Sequence, residues 1–579
     1  MAGKSSKAVL LATILQGAFA VIDPWGRCGG AQCTGTFTPI SASAYIDSLN
    51  PGWNLGNTLD AIQNEGDWNN PPVVPSTFDS ILASGFKSIR LPVTWAYHFT
   101  SDSPTWDVDP AWLQRVSDVV DQVTSRGLKA LVNVHHDSWT WADVTLANAN
   151  ITQIEEQFYR LWFQIGTKLA CKGSSVAFEP INEPPGTTEA HGKEQNRLNG
   201  IFLQAINDAG GFNPQRVVTL VGSGEDAVKT SQWFEPPDAK FKNPWGVQFH
   251  YYSPYDFIFS AWGKTTWGSA ADKAALEADF AAIRGNFTDV PLLLGEWDAS
   301  NTNTETAGRW RYFDFLLRTA AKYNIPTIIW DNGLDHFDRA AGKWRDETVL
   351  KILQSAVKGD VNALPDSTTD TAATSQFSSA FVWNKVGESV KAVSVPYLFN
   401  GLTLSSITDT KTSKALVKGT DYSVEGSNVT FSSSFLSTVY TSNATGTLAT
   451  LSLKFSGGAP LVVQIAQWAP PKLGATSSAL PATSADLLIP ITWAGQNRPA
   501  AVRAIKSDGG ILIEDWTQYL GPLQQGRMTY ENQWNWDQGN VILKAAVLDA
   551  VRAAGKTTAF TFEFYPRVEG NVANYTITV

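Results

Sequence analysis

Between residues 50 and 357, short apolar runs alternate with stretches whose apolar residues recur every three or four positions. The short runs are GWNLGN (52–57), FKSIRLPV (86–93), LKALVNVHH (128–136), VAFEPINE (176–183), RVVTLVG (216–222), WGVQFHYY (245–252), VPLLLGEW (290–297) and IPTIIWDNG (325–333). Near-continuous apolar runs are the mark of strands buried on both faces, as in parallel sheets. The spacing of three and four, as in residues 110–125 and 154–170, predicts helices with one buried face. Eight such strands alternating with helices predict an α/β fold of the (β/α)8 TIM-barrel kind over residues 50–358. A doubly wound sheet is the competing architecture. It is disfavoured because polar residues end nearly every run and no glycine-rich phosphate loop opens the first helix.

The pattern changes after Lys358. Residues 359–375, GDVNALPDSTTDTAATS, are rich in Ser, Thr, Asp and Ala and read as a linker. In 376–470 short alternating runs such as AVSVPYLF (392–399), NVTFS (428–432) and TLSLKF (450–455) are separated by turn residues, which predicts an antiparallel β-sandwich. A second small β-sandwich module is expected over 471–579, with runs LLIPITW (487–493), GGILIEDW (509–516), AFTFEFY (559–565) and NYTITV (574–579) and one helical stretch at 541–555.

Composition narrows the partners. The chain has 579 residues, too many for one core, and a net charge of −10. An acidic chain with no basic tract argues against nucleic acid and anionic membranes. Its 23 Trp suit stacking on sugar rings, and a neutral polysaccharide substrate and a monomer are expected. Residues 1–20 read as a secretory signal: Lys4 and Lys7, an apolar run from Ala8 to Ile14, then Ala18-Phe19-Ala20. No later run is long enough to span a bilayer, so a secreted extracellular protein is expected, with 21–49 as an N-terminal extension. Sequons at Asn150, Asn286, Asn428, Asn443 and Asn574 agree with export. Of the three cysteines, Cys28 and Cys33 are close enough in sequence to form a small disulfide loop, which leaves Cys171 over.

Candidate chemistry gathers at the ends of the predicted strands. A barrel builds its site from the loops at that face. The runs VAFEPINEP (176–184) and LLLGEWDAS (292–300) each deliver a carboxylate there, Glu183 and Glu296. Two carboxylates brought together are the equipment of glycoside hydrolysis, one protonating the leaving oxygen and the other attacking carbon. Asn57, Arg90, His135, His136, Asn182, His250, Tyr252 and Trp330 come to the same face. Arg90 and Tyr252 suit stabilisation of an ionised nucleophile. Asn182 suits a sugar 2-hydroxyl, and Trp330 offers a flat apolar face. The adjacent His135 and His136 should point to opposite faces of a strand, so no metal site is expected, and no cofactor. Glu179, four residues before Glu183 and deeper in the run, is expected in a structural ion pair.

The motifs GWNLGNTLDA, SIRLPVTW, LVNVHH, EPINEP, FHYYSPYDF, LLLGEW and IIWDNG, taken in order, resemble glycoside hydrolase family 5 across residues 50–340. The wording is most similar to the subfamily 4 endo-β-1,4-glucanases, which often take xyloglucan and mixed-linkage glucan as well as cellulose. The resemblance implies a retaining mechanism with Glu183 as acid/base and Glu296 as nucleophile. The stretch 417–436 resembles an immunoglobulin-like spacer, and 531–551 resembles a family 46 carbohydrate-binding module. In enzymes so built the last module can fold back to complete the substrate cleft. Trp534 and Trp536, one residue apart, share a side if extended and are the sugar-stacking candidates there. Trp139, Trp141, Trp262 and Trp267 are candidates for outer subsites in the barrel loops. The rival readings are β-mannan or β-1,3-glucan on the same catalytic frame, and a glycan-binding wall protein without turnover.

Overall fold

The computed structural model describes residues 30–579. The expected signal segment and Cys28 lie outside the described residues. Eight parallel strands, β1 (Gly52–Asn54), β2 (Ser88–Leu91), β3 (Lys129–Val132), β4 (Val176–Phe178), β5 (Val218–Asp226), β6 (Trp245–Tyr251), β7 (Leu292–Trp297) and β8 (Ile328–Ile329), follow one another around a single sheet. β1 pairs with β8, and a bridge from Leu294 to Thr327 joins β7 to β8 and closes the barrel. Most strands are shorter than the apolar runs that announce them, and in β1, β2, β3, β4 and β8 the last residues of the run lie beyond the strand's C-terminal end.

Helices between the strands follow the predicted periodicity and are capped by the expected residues. Pro110–Thr124 starts with Pro at its first position behind an Asp109 cap. Ile151–Leu169 is capped by Asn150, whose side chain accepts from Gln153 N, and buries Ile154, Phe158, Leu161, Trp162, Ile165 and Leu169. No helix among the described residues is long and apolar enough to cross a membrane.

The N-terminal extension is part of the barrel. Its helix Ala42–Asp47 seals the end of the barrel away from the site, with Tyr45, Ile46 and Leu49 packed on Leu131, Ala177, Val217, Leu293 and Ile328. Tyr45 OH donates to the carbonyls of Ala130 (3.0 Å) and Ser175 (3.1 Å). The disulfide joins Cys33 to Cys171, 138 residues apart, rather than Cys33 to Cys28. Ala31 N bonds Ala209 O and Phe37 packs on Phe212, which carries Cys33 to the C-terminal end of helix Ile151–Leu169. Closeness in sequence misled here; the long loop closed by the observed bridge is the more constraining of the two.

Two β-sandwiches follow, each of two four-stranded sheets. The segment 359–375 is no free tether. Leu364–Pro365 adds a strand to the middle sandwich beside Tyr397 and Leu398, and Asn362 Nδ2 donates to Asp314 of the barrel at 2.7 Å. The barrel core runs without a break into the middle sandwich. The last sandwich has its own core and docks on the barrel loops through two arginines. Arg567 Nη1 donates to Gly263 O (2.8 Å) and Thr265 Oγ1 (2.7 Å), with Glu563 neutralising it at 2.6 Å. Arg498 donates to the carbonyls of Asn301, Thr302 and Thr304. Buried arginines capping carbonyls from another module fix its position, because releasing them strands both partners.

Candidate active site

Arg90, wholly buried at the end of β2, organises the floor of the site. Its Nε and Nη2 clamp Glu179 at 2.7 Å each, Nη2 also reaches Asn182 Oδ1 (2.8 Å), and Nη1 donates to Asn54 Oδ1 (2.9 Å) and Glu296 Oε1 (2.5 Å). Glu179 is therefore the ion-pair partner expected of it. Burial alone would raise its carboxyl, but Arg90 outweighs this and holds it below the usual range. With most of its donors spent on fixed acceptors, the guanidinium has one orientation. That orientation aims at Glu296.

Glu296, near the end of β7, also accepts from Tyr252 OH at 2.8 Å. Burial and the charge of Glu296 raise the Tyr252 phenol well above its ordinary value, so it remains a donor. Glu183 stands across the cleft, past the end of β4, and bonds His250 Nδ1 through Oε1 at 2.8 Å; the same nitrogen is 3.7 Å from Glu296 Oε2. Oxygens of the two carboxylates come within 4.8 Å of one another. Their surroundings differ. The Glu183 side chain is 29% exposed and that of Glu296 6%.

Burial raises Glu296. It raises Glu183 too, but the hydrogen bond and charge of His250 prevail and hold Glu183 low. His250 is itself pushed up to about 9: burial opposes the charge, and Glu225, Glu296 and Glu183 more than compensate. Glu183 therefore faces an imidazolium whose proton lies within a hydrogen bond's length.

His135 is the opposite case. Burial, with His136 and Arg90 close by, lowers it well below its ordinary value, so it is neutral. Asn133 Nδ2 donates to its Nδ1 at 3.0 Å, which leaves Nε2–H as the donor. The Trp330 ring lies parallel to His135 at 5.9 Å, directly over Gly56; a Cβ there would come within 2.7 Å of the indole. His136 does not point away from His135. β3 ends at Val132 and a 3-10 turn begins at His136, so the two rings meet edge to face at 4.5 Å, with Trp68 and Trp139 beside His136. Strand alternation does not apply beyond a strand's end.

Asp60, His135 and His136 form one group whose ligand atoms gather, and Glu183, His250 and Glu296 another. Asp60 is engaged by the backbone N–H groups of Asn57 and Thr58, and Arg90 already supplies the positive charge at Glu296.

Two aromatic expectations are corrected, and one asparagine is added. Asn57 Nδ2 donates to Asn69 Oδ1 at 2.7 Å, while Asn54, on β1 in the same motif, is the residue that meets Arg90. Trp534 is 2% exposed, its Nε1 bonded to Met528 O, so it is core and not a sugar platform. Trp536 lies on the same side, as the spacing implied, but at the rim of that core, lining a groove of about 770 Å³ among the three modules. Trp267 is likewise buried, whereas Trp139 stands 55% exposed. Asn133, inside the LVNVHH motif but not among the candidates, and Glu225, outside every motif, both touch the carboxylate cluster.

A sequence model of the family described as Cellulase (glycosyl hydrolase family 5) matches residues 54–336, and one described as Carbohydrate binding domain X2 matches residues 376–465. The segment whose stretch 417–436 resembles an immunoglobulin-like spacer thus matches a carbohydrate-binding domain. Endoglucanase B of Paenibacillus lautus is 28% identical over 593 residues, spanning 99% of this chain and 97% of its own. The crystal structure of a tri-modular GH5 (subfamily 4) endo-β-1,4-glucanase from Bacillus licheniformis, complexed with cellotetraose, superposes with a TM-score of 0.81 at 33% identity, covering 93% of this chain and 99% of that one. A family 5 xyloglucanase from Paenibacillus pabuli matches with a TM-score of 0.51 at 26% identity, covering 54% of this chain and 99% of that one. The chain belongs to glycosyl hydrolase family 5 and is a glycoside hydrolase of the endoglucanase type.

Proposed function

We propose that this endo-β-1,4-glucanase is a secreted, retaining enzyme that takes xyloglucan and mixed-linkage glucan as well as cellulose. The observation that carries the mechanism is the closeness of Glu183 and Glu296, oxygens within 4.8 Å. Retaining glycosidases hold their carboxyls about 5–5.5 Å apart, and inverting ones leave about 6.5–9.5 Å for a water. Glu296, fixed by Arg90 and Tyr252, attacks the anomeric carbon. Glu183, at the open side of the cleft, protonates the departing oxygen. Water deprotonated by Glu183 then releases the sugar with its configuration retained. Asn182, its Oδ1 held by Arg90, turns its NH2 to the 2-hydroxyl, and neutral His135 donates from Nε2 beside the Trp330 platform. Secretion is supported by the signal-like N-terminus and by a disulfide, a bond kept in oxidising compartments.

The substrate reading rests on the last module. From Tyr252 a line of rings runs outward through Phe259 (6.1 Å), Tyr255 (5.0 Å) and Trp262 (5.8 Å) to Trp516 of that module (4.6 Å). Trp262 Nε1 is tied to Glu514 Oε2 at 2.7 Å, so the junction is held by a hydrogen bond as well as by packing. Tyr255, Phe259 and Trp516 are exposed. Such a rim suits a branched chain, whose side-chain sugars give the outer rings something to cover.

Trp516→Ala is therefore expected to lower kcat/KM on xyloglucan by up to about tenfold, the worth of one aromatic platform. Activity on carboxymethylcellulose should stay within about twofold. The check is a reducing-sugar assay on xyloglucan, mixed-linkage glucan, carboxymethylcellulose and mannan. Equal losses on all four would assign specificity to the barrel loops alone. Mannan as the best substrate would overturn the β-glucan reading.

A further inference from the structure

Glu225 has no part in the chemistry above, yet it lies directly behind it. The pairing of β5 with β6 slips between Val221 and Asp226, and the bulge turns Glu225 inward until it is wholly buried. Two non-glycine residues in left-handed backbone meet there, Glu183 at φ 40° and Glu225 at φ 47°. Residues with a Cβ adopt that conformation at a cost, and sites where it persists are held by their surroundings. Here the hold is reciprocal. Gly224 N donates to Pro184 O at 2.6 Å, and Glu183 N donates to Glu225 Oε2 at 2.8 Å.

The same Oε2 lies 3.2 Å from His250 Nε2, an ion-pair separation without hydrogen-bond alignment, and Gln248 Nε2 donates to Oε1 at 2.9 Å. Glu225, His250 and Glu183 therefore form a continuous line from β5 through β6 to β4. The other charged or titratable groups facing His250 are Glu296 at 3.7 Å and, through the field of the site, Glu179 and His135. A backbone hook alone needs no carboxyl, since a neutral amide oxygen would accept from Glu183 N equally well. Burying an acid costs far more than burying an amide. Burial raises the Glu225 carboxyl, and the His250 charge 3.2 Å away opposes the rise, just as the Glu225 charge holds the proton on His250.

We propose that Glu225 is a positioning residue for proton transfer, keeping a proton on His250 Nε2 so that the Nδ1 proton is the one shared with Glu183. This rests on the reading of Glu183 as the acid/base. The proton passes from Nδ1 to Glu183 Oε1, leaving a neutral imidazole that still carries Nε2–H. The resulting carboxylic acid gives that proton to the leaving oxygen, which takes the electron pair of the broken C1–O bond. In the second half of the cycle Glu183 takes a proton from water and can return it to Nδ1. The line thus reconciles a low-lying Glu183 with service as an acid.

The test compares Glu225→Gln, Glu225→Asp and Glu183→Gln on cellopentaose and on 2,4-dinitrophenyl β-cellobioside, whose leaving group needs no acid. Glu225→Gln is expected to lose roughly tenfold to hundredfold on cellopentaose, less than the 10²–10⁴ of general acid–base catalysis as a whole. Its burst of dinitrophenol should keep a rate within about threefold of the parent. Without the Glu225 charge the His250–Glu183 pair binds its proton less tightly, so the basic limb of the kcat/KM profile moves to lower pH. Glu225→Asp, which keeps the carboxylate, should restore that limb. A parent-like profile in Glu225→Gln, or equal losses on both substrates with the limb unmoved, overturns the proposal. Should Glu183→Gln lose the dinitrophenol burst as severely as cellopentaose cleavage, the acid/base reading itself fails. If Glu183→Gln keeps the burst and Glu225→Gln shows no dependence on the leaving group, only the role of Glu225 fails.

Discussion

Replacing Glu296 by Ala is expected to remove at least about 10⁴-fold of the turnover of β-1,4-glucan while leaving the fold intact. The loss follows from the proposed role: with no carboxylate under the anomeric carbon no glycosyl-enzyme can form, and the remaining groups act on a step that cannot start. The intact fold follows from the contacts. Glu296 is buried within 4.8 Å of Glu183, a like charge, and its main cation, Arg90, keeps Glu179 as a bidentate partner after the change. The lost attraction and the relieved repulsion and desolvation oppose one another, so stability should move by no more than about 1 kcal/mol. Reducing-sugar release and a urea titration check the two halves together. Near-normal turnover by the variant would dismiss the assignment.

Arg90→Met is expected to do the reverse, lowering stability and activity together. Arg90 is the shared partner of Glu179, Glu296, Asn182 and Asn54, and it and Glu179 are wholly buried. Removing one side of a buried pair typically costs about 3–5 kcal/mol, because the other charge stays behind unpaired. Here two carboxylates are stranded, and each recovers part of the loss by taking up a proton. A protonated Glu296 is no nucleophile, so activity falls with stability. Arg90→Lys keeps the charge but cannot satisfy four acceptors with one ammonium, and should retain the fold better than it retains turnover. A urea midpoint for Arg90→Met equal to that of the parent would show that the cluster contributes nothing to the fold.

The frame of the candidate site was legible in the sequence because a parallel barrel writes it in one dimension. Glu183 and Glu296 each follow an apolar run, and the run is a strand because both its faces are buried. What was lost depended on geometry that a run of letters does not carry. Asn54 and Asn57 share one motif, and only the strand's end at Asn54 decides which of them meets Arg90. Spacing placed Trp534 and Trp536 on one side, but not which side faced the core. Glu225 follows GSG in a stretch with no apolar pattern, and reaches the site only because β5 bulges. Cys33 meets Cys171 because the extension wraps the barrel. The Ser- and Thr-rich segment 359–375 looked mobile by composition, though Leu364 and Pro365 within it complete a sheet.

The central claim is that Glu296 forms a covalent glycosyl-enzyme. Its most direct test is incubation of the whole protein with an activated 2-deoxy-2-fluoro-β-cellobioside, which slows release of the intermediate, followed by intact mass and peptide mapping. The account predicts the mass of one fluorocellobiosyl group, carried by the peptide that contains Glu296 and absent from Glu296→Ala. A label on another carboxylate, or turnover with inverted products and no label at all, would contradict it.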